Sequence, residues 1–184
     1  MKTKIKRYEH AVSWYGEIAE YIRANYGYPD LFCDILAATS PRVAISRNWS
    51  VANHIYKHWV SGKGLDLSQC MSTHAPNVRR AIRGEPLSGP KVSAFAANLK
   101  GDMSRVTIDV WMLRYYGIEG SVTKKVYTEL AARVTDEAQE HGYAPAEYQA
   151  IIWTMIRKQY GKKFRSFLSV ADVKQGLLFD IYEE

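Results

Sequence analysis

The chain reads GPKVSAF over residues 89–95 and VTIDVWMLR over residues 106–114. The first segment is a Gly-Pro turn followed by small and apolar residues, so it predicts a helix that carries Lys91 in its first turn. The second segment is an apolar run that contains a single carboxylate, Asp109. An amine can attack a sugar carbon and a carboxylate can stabilise a cation, so the pair suits cleavage of a base–sugar bond. Lys91 and Asp109 are therefore the first candidates for a catalytic site.

The composition is that of a globular protein with a positive net charge. Its 184 residues suit a single domain, 1–184, built of two lobes. Hydrophobic residues make up 47% and charged residues 24%, which argues against a disordered chain. The net charge of +6 permits binding to a polyanion such as DNA. The 13 Tyr and 5 Trp supply core volume or, where they are exposed, surfaces that stack on bases.

Other functional classes find little support in the sequence. No apolar run approaches the roughly 20 residues of a membrane helix, and the basic N-terminus lacks the apolar stretch of a secretory signal. Two cysteines, Cys33 and Cys70, are too few for a metal cluster or a disulfide framework. His54 and His58 share a helix face but lack a third ligand nearby. We therefore expect a cytoplasmic protein without a metal or another cofactor.

Helical periodicity extends along most of the chain and predicts an all-α fold, a compact bundle of two lobes. Ser40-Pro41 has the form of a helix start, with a hydroxyl at the N-cap and proline at the first helical position. Residues 106–116 alternate like a strand, but apolar length alone does not separate a strand from a helix. The predicted helices cover about 8–25, 30–38, 41–59, 66–72, 76–83, 90–99 and 122–140, one begins at Pro145, and one covers 169–182.

Several of these features occur together in one known family. GPKV at residues 89–92 matches a hairpin pattern of Gly-x-Lys followed by a small or β-branched residue, and Asp109 precedes Arg114 by five residues. With these motifs, residues from about 30 to 161 resemble the helix-hairpin-helix DNA glycosylases of the endonuclease III-like superfamily. The resemblance implies a hairpin that grips the DNA backbone and a catalytic loop, together within about 76–114.

The resemblance also implies roles for individual residues. Asp109 would stabilise the oxocarbenium-like state of glycosidic cleavage, and Lys91 would be the nucleophile that forms a Schiff base with the sugar. Trp111 and Tyr115 are candidates for the pocket of an extruded base. The candidates for DNA contacts are Arg42, Asn48, Arg83, Ser88, Gly89 and Arg114.

The sequence departs from the family pattern at three points. Leu87 stands where the hairpin usually has its first glycine, and Trp111 replaces the common histidine after the catalytic aspartate. No cluster-ligating cysteines follow the late helix, so no iron–sulfur cluster is expected. This compact form is similar to divergent phage-type members of the superfamily, in which the scaffold is thought to serve base modification as well as repair.

The sequence therefore predicts a monomeric DNA glycosylase, with AP-lyase activity as an option. We expect it to act in the cytoplasm of a bacterium, including that of a cell infected by phage. A non-catalytic DNA-binding module on the same scaffold and a phage DNA base-modification protein stay open as alternatives. A third alternative is a structural all-α protein whose aromatic residues only fill its core.

Overall fold

The computed structural model describes residues 8–120 and 122–160. Within these ranges the chain forms eight α-helices and no β-strand, which confirms the predicted all-α class. Short 3-10 turns lie at Glu9–Ala11 and Ser72–His74. No described helix combines the length and the apolar character that crossing a membrane requires. The α-helices are α1 (Trp14–Asn25), α2 (Pro29–Thr39), α3 (Ile45–Val60), α4 (Ala75–Ile82), α5 (Pro90–Leu99), α6 (Val110–Tyr115), α7 (Lys124–His141) and α8 (Pro145–Gln159).

The chain divides into two compact units, in line with the two lobes that the sequence predicts. Among the described residues, the first unit comprises residues 8–19, 97–120 and 122–160, and the second comprises residues 20–96. The predicted helix over residues 169–182 lies outside the described residues.

The core of the first unit is built on α8, which packs against α6 and α7. The helix begins at Pro145 as predicted, and the Glu147 carboxylate accepts a hydrogen bond from the Ala144 N–H at 2.8 Å. Tyr148 and Ile152 are fully buried, in agreement with the predicted apolar stripe. Removal of this apolar surface from water is what stabilises the helix within the unit.

The core of the second unit is an aromatic cluster between α2 and the helices packed on it. Phe32 is fully buried and stacks on Tyr26, with ring centroids 3.8 Å apart. Trp49 and Tyr56 meet the Phe32 ring edge-on at 5.2 and 5.5 Å. These rings pack against one another as one cluster, so packing explains these four aromatic residues.

The helix predicted to start at Ser40-Pro41 is wrong in its first residues, because α3 begins at Ile45. Ser40 instead terminates α2: its N–H and its hydroxyl both donate to the Ala37 carbonyl, at 3.2 and 2.8 Å. Arg42 then adopts a φ of +64°, the left-handed region that excludes it from a right-handed helix. A Ser-Pro pair is compatible with the end of a helix as well as with its start. Here the serine hydroxyl donates to a carbonyl group of the preceding helix.

The helix predicted over residues 66–72 is also wrong, because this segment forms turns. The Asp66 carboxylate accepts the Ser68 N–H at 2.8 Å and pairs with the His54 ring at 2.8 Å. A side chain that binds the backbone two residues further on competes with helix formation. These hydrogen bonds lower the pKa of Asp66 below its ordinary value, the Ser68 backbone N–H having the largest effect.

The predicted pair of helices around the GPK motif is confirmed at α4 and α5. Gly84 and Gly89 take φ values of +68° and +97° in the connecting loop, a conformation that glycine adopts without a steric penalty. Asn77 of α4 holds the loop by two hydrogen bonds to Ser88: its Oδ1 accepts the Ser88 N–H at 2.7 Å, and its Nδ2 donates to the Ser88 carbonyl at 2.9 Å.

We expect Asn77→Ala to lower the free energy of unfolding by about 1–2 kcal/mol, because two hydrogen bonds to the loop are lost. Asn77→Asp keeps the acceptor for the Ser88 N–H and should show a smaller loss. Urea denaturation followed by circular dichroism measures both variants. Equal stability of Asn77→Ala and the parent chain would mean that these bonds do not hold the loop.

Candidate functional site

The segment that precedes Asp109 is held in place by the buried side-chain amide of Asn98, near the end of α5. The Asn98 side chain is fully buried and donates to the carbonyls of Asp102 and Arg105, at 2.8 and 3.0 Å. Its oxygen accepts the Thr107 hydroxyl at 2.8 Å. Because all these bonds are internal, they fix the turn after α5 and the direction in which the chain enters Asp109.

Tyr127 of α7 holds the residues immediately before Asp109. Its hydroxyl donates to the Val106 carbonyl at 2.6 Å, and the Ile108 N–H donates to that hydroxyl at 3.4 Å. Val106 and Ile108 are buried. The alternation over residues 106–116 therefore indicated an extended segment with buried side chains, but no strand forms in the described residues, and α6 begins at Val110.

Asp109 is the N-cap residue of α6. Its Oδ1 accepts the N–H groups of Trp111 and Met112 at 2.9 and 3.1 Å, and its Oδ2 accepts the indole N–H of Trp153 at 2.9 Å. The half-buried carboxylate thus sits at the positive end of a helix and faces three N–H donors, an arrangement matched to an anion. Its position is set by α6 and α8 together.

Beside Asp109 lies a group of arginines and aromatic rings that we call the arginine–tryptophan cluster: Trp111, Arg114, Trp153, Arg157 and Tyr160. The Arg114 and Arg157 guanidinium carbons lie 4.5 and 5.2 Å from the centroid of the Trp111 ring. Arg157 also lies over Trp153 at 4.6 Å, and Tyr160 meets Trp111 at a centroid distance of 6.1 Å. Arginines held on aromatic faces are a feature of many surfaces that bind nucleic acids.

The Arg157 side chain is partly buried, and its Nε atom is buried without a hydrogen-bond partner among the described residues. Burial lowers the pKa of this guanidinium, an effect that the negative charge of Asp109 opposes. An arginine stays protonated under these conditions, so the cluster carries positive charge next to the carboxylate.

The structure does not bring Tyr115 into this cluster, although the sequence predicted that Tyr115 and Trp111 line one pocket. Tyr115 contacts Tyr116 edge-on at 4.9 Å, and the Tyr116 hydroxyl donates to the Glu137 carboxylate at 2.7 Å. Burial and this bond raise the pKa of Tyr116. Within the part of the chain that the structure describes, no ring contact joins Trp111 to Tyr115.

Two of the hairpin residues predicted to contact DNA have partners within the second unit. The Ser88 N–H donates to Asn77, so it is not available to a phosphate oxygen. The Arg83 guanidinium makes two hydrogen bonds to the Glu85 carboxylate, at 2.6 and 3.0 Å, although both side chains remain largely exposed. Gly89 lies immediately before α5, and the half-buried Lys91 lies in its first turn.

The two remaining candidates for DNA contact differ sharply in exposure. Arg42 is exposed and sits at the strained φ of +64° in the loop between α2 and α3. Asn48 is buried: its Nδ2 donates to the Leu36 carbonyl at 3.0 Å, and its Oδ1 accepts the Thr39 hydroxyl at 2.6 Å. The position predicted for Asn48 on a DNA-facing surface was therefore wrong, because its polar atoms join α3 to α2.

Lys91 belongs to the second unit and Asp109 to the first, so their pairing over a sugar remains a prediction. No group of three or more His, Cys, Asp or Glu side chains in residues 8–120 and 122–160 is arranged to hold a metal ion.

A family model described as "Family of unknown function (DUF7178)" matches residues 4–160. The chain belongs to the DUF7178 family. Neither a search of curated proteins nor a search of solved structures finds a match. The family assignment supplies no activity, so the site of this DUF7178 member is interpreted from its own geometry.

In this DUF7178 chain neither the residues that position Asp109 nor the arginine beside it on α8 were predicted as site residues from the sequence. Trp153 and Arg157 are four residues apart on α8, so they lie on one helix face, and that spacing is a signal available in the sequence. Asp109 before a helix is a typical N-cap, a signal that was obscured by the strand-like alternation. Asn98 and Tyr127 act through contacts with other segments, and no local pattern indicates them.

We expect Asn48→Ala to lower the free energy of unfolding by about 2–3 kcal/mol, because buried polar groups on α2 lose their partner. The matched control is Arg47→Ala at the exposed neighbouring position, where the change should stay below about 0.5 kcal/mol. Chemical denaturation measures both. If Arg47→Ala is the more damaging of the two, the packing role of Asn48 is incorrect.

Proposed function

We propose that this chain is a DNA N-glycosylase that extrudes a base from DNA and cleaves its N-glycosidic bond. The observation that supports this proposal is the Asp109 carboxylate, which is fixed at the start of α6 beside the arginine–tryptophan cluster. The proposal includes action on DNA in the cytoplasm as a monomer, without a metal ion or an iron–sulfur cluster. AP-lyase activity is included as an option that depends on Lys91.

The chemistry follows from the hydrogen bonds of Asp109. A carboxylate has about four acceptor positions, and its oxygens accept three internal N–H groups, two on Oδ1 and one on Oδ2. One position on Oδ2 is therefore not used by the described residues. Glycosidic cleavage develops positive charge on the sugar, and a fixed carboxylate stabilises that charge without reorganising. Asp109 suits this electrostatic role and could also orient a water molecule.

Binding to DNA is supported by positive charge in both units. Gly89 and Lys91 lie at the N-terminal end of α5, where backbone N–H groups and the helix dipole favour a phosphate. Arg42 and Arg83 are exposed side chains of the same unit, and a phosphate would have to compete with Glu85 for Arg83. Arg114 and Trp111 belong to the first unit. Extrusion of a base costs a few kcal/mol, which contacts from an aromatic side chain such as Trp111 would partly offset.

The second candidate is a non-catalytic DNA-binding module. The observation that favours it is that the three hydrogen bonds of Asp109 explain this residue fully as a helix cap that joins α6 to α8. The loss of the Ser88 N–H as a phosphate donor fits a diverged hairpin equally well. Steep salt dependence of DNA binding, without excision of any base, is the result that this candidate predicts.

Asp109→Asn should reduce base excision by at least about 100-fold, because the charge that stabilises the transition state is removed. Asparagine is as good an N-cap as aspartate, so α6 should still form. The assay uses duplex oligonucleotides, each with one oxidised, alkylated, mismatched or otherwise modified base, and detects abasic sites by alkaline cleavage.

Two variants serve as controls for this experiment. Asp136→Asn makes the same chemical change at an exposed position of α7 and should leave excision unchanged. Trp153→Phe removes the indole hydrogen bond but keeps the carboxylate, so it should retain much more activity than Asp109→Asn. Full excision by Asp109→Asn, on a substrate that the parent chain cleaves, would reject the glycosylase mechanism.

Lys91→Gln should abolish a covalent DNA adduct trapped with borohydride, because only a primary amine forms the reducible Schiff base with the sugar. Lys57→Gln, an exposed lysine of the same unit, is the matched control and should trap as well as the parent chain. Gel electrophoresis of labelled DNA after reduction separates the adduct. A persistent adduct in Lys91→Gln would assign the nucleophile to another amine.

A further inference from the structure

Arg114 and Arg157 differ from Arg133, a third described arginine of this unit that is held on an aromatic ring. The Arg133 guanidinium also lies 4.5 Å from a ring centroid, that of Tyr116, but its Nε donates to the Glu137 carboxylate at 3.0 Å. Within residues 8–120 and 122–160, neither Arg114 nor Arg157 forms a hydrogen bond or an ion pair through its guanidinium. Arg133 is paired with a carboxylate, whereas neither cluster arginine makes such a pair with another described residue.

The two cluster charges are held close to each other. Arg114 and Arg157 both lie over the Trp111 ring, so their guanidinium carbons are at most about 10 Å apart, roughly one Debye length at 0.1 M salt. Two cations within this distance repel each other, and a bound anion that is attracted to both offsets the repulsion. The negative charge of Asp109 acts on Arg157, but the Asp109 oxygens accept hydrogen bonds from the α6 backbone and Trp153 and form no ion pair with either guanidinium among the described residues.

Interaction with a helix dipole does not explain why these two guanidinium groups are held over the Trp111 ring. Both lie in the last turn of a helix, where cations are generally favourable. A side chain that caps a helix end donates to its carbonyl groups, and neither guanidinium does so in the described part of the chain. Among the described residues, aromatic rings hold them. The terminal N–H groups of a guanidinium held in this way can bind an oxyanion in a bidentate manner.

An exposed aromatic ring lies next to the two cations. Tyr160 is 56% exposed, and its ring meets Trp111 at 6.1 Å, with the Arg114 guanidinium 5.9 Å from its centroid. A ring in this position can stack on an unpaired base whose phosphate is bound by the arginines. A base paired in a duplex does not present its face for such a contact.

We infer that Arg114 and Arg157, oriented by Trp111, bind a phosphodiester group of an unpaired DNA strand, with Tyr160 stacking on an adjacent base. This inference rests on the proposed binding of DNA but not on base excision. It adds Arg157 and Tyr160 to the binding residues, and it gives Trp111 the role of positioning two arginines rather than only that of lining a pocket.

The first test observes the arginine Nε–H resonances by ¹H–¹⁵N NMR while the oligonucleotide (dT)8 is added to the full chain. The signals of Arg114 and Arg157 are assigned from their loss in Arg114→Lys and Arg157→Lys. Both should shift on addition of (dT)8, while the Arg133 signal should not. Absence of a shift at Arg114 and Arg157, or an equal shift at Arg133, overturns the inference.

The second test measures the affinity for (dT)8 by fluorescence anisotropy as a function of salt. Arg114→Gln/Arg157→Gln should weaken binding at least about tenfold at low salt and reduce the salt slope by about 0.7, the value for one single-strand phosphate contact. Arg133→Gln should leave the slope unchanged. Thermal melting by circular dichroism verifies the fold; if the double variant is unfolded, the NMR test on the lysine variants decides.

Two further measurements identify the ligand. Tyr160→Leu should weaken (dT)8 binding by about fivefold or more, because stacking on a base is lost. Inorganic phosphate should compete with (dT)8 only at millimolar concentrations, and competition at micromolar concentrations would mean a site for free phosphate. Excision by the parent chain has no bearing on these readouts, so failure of the glycosylase proposal and failure of this site are distinguishable.

Discussion

The carboxylate of Asp109 joins two helices of the first unit. One of its oxygens caps α6 through two backbone N–H groups, and the other accepts the indole N–H of Trp153 from α8. A helix of six residues such as α6 is not stable by itself, because nucleation is costly and few hydrogen bonds follow. The cap and the packing on α8 therefore determine where α6 forms, and with it the positions of Trp111 and Arg114.

The structural and functional interpretations of Asp109 rest on the same contacts. A helix cap requires a short side chain with an acceptor, and stabilisation of a cation requires a charge that does not move. Asp109 meets both requirements, since three donors fix it and one acceptor position stays unused by the described residues. Asparagine keeps the acceptor that caps α6 but loses both the charge and the acceptor for the Trp153 indole N–H. Chemistry and architecture are therefore separated at this position only by comparison with a variant that lacks the indole hydrogen bond and keeps the carboxylate.

Local patterns predicted the fold class and most helices, but they failed where side chains bind the backbone. Ser40 and Asp66 occur in motifs that are compatible with either the start of a helix or a turn. The hydroxyl of Ser40 bonds back to Ala37, and Asp66 binds Ser68 and pairs with His54 of α3. The same limit applies to Asn48, a polar residue that the structure buries against α2.

The sequence by itself determined the all-α class, the helices around the GPK motif and the buried stripe of α8, because these depend on the periodicity of apolar residues within one segment. Only the tertiary structure decided that Trp153 binds Asp109, that Arg157 joins Arg114 on the Trp111 ring and that the Tyr116 hydroxyl binds Glu137. These contacts join residues far apart in the chain, so their geometry depends on how helices pack, which local sequence does not specify.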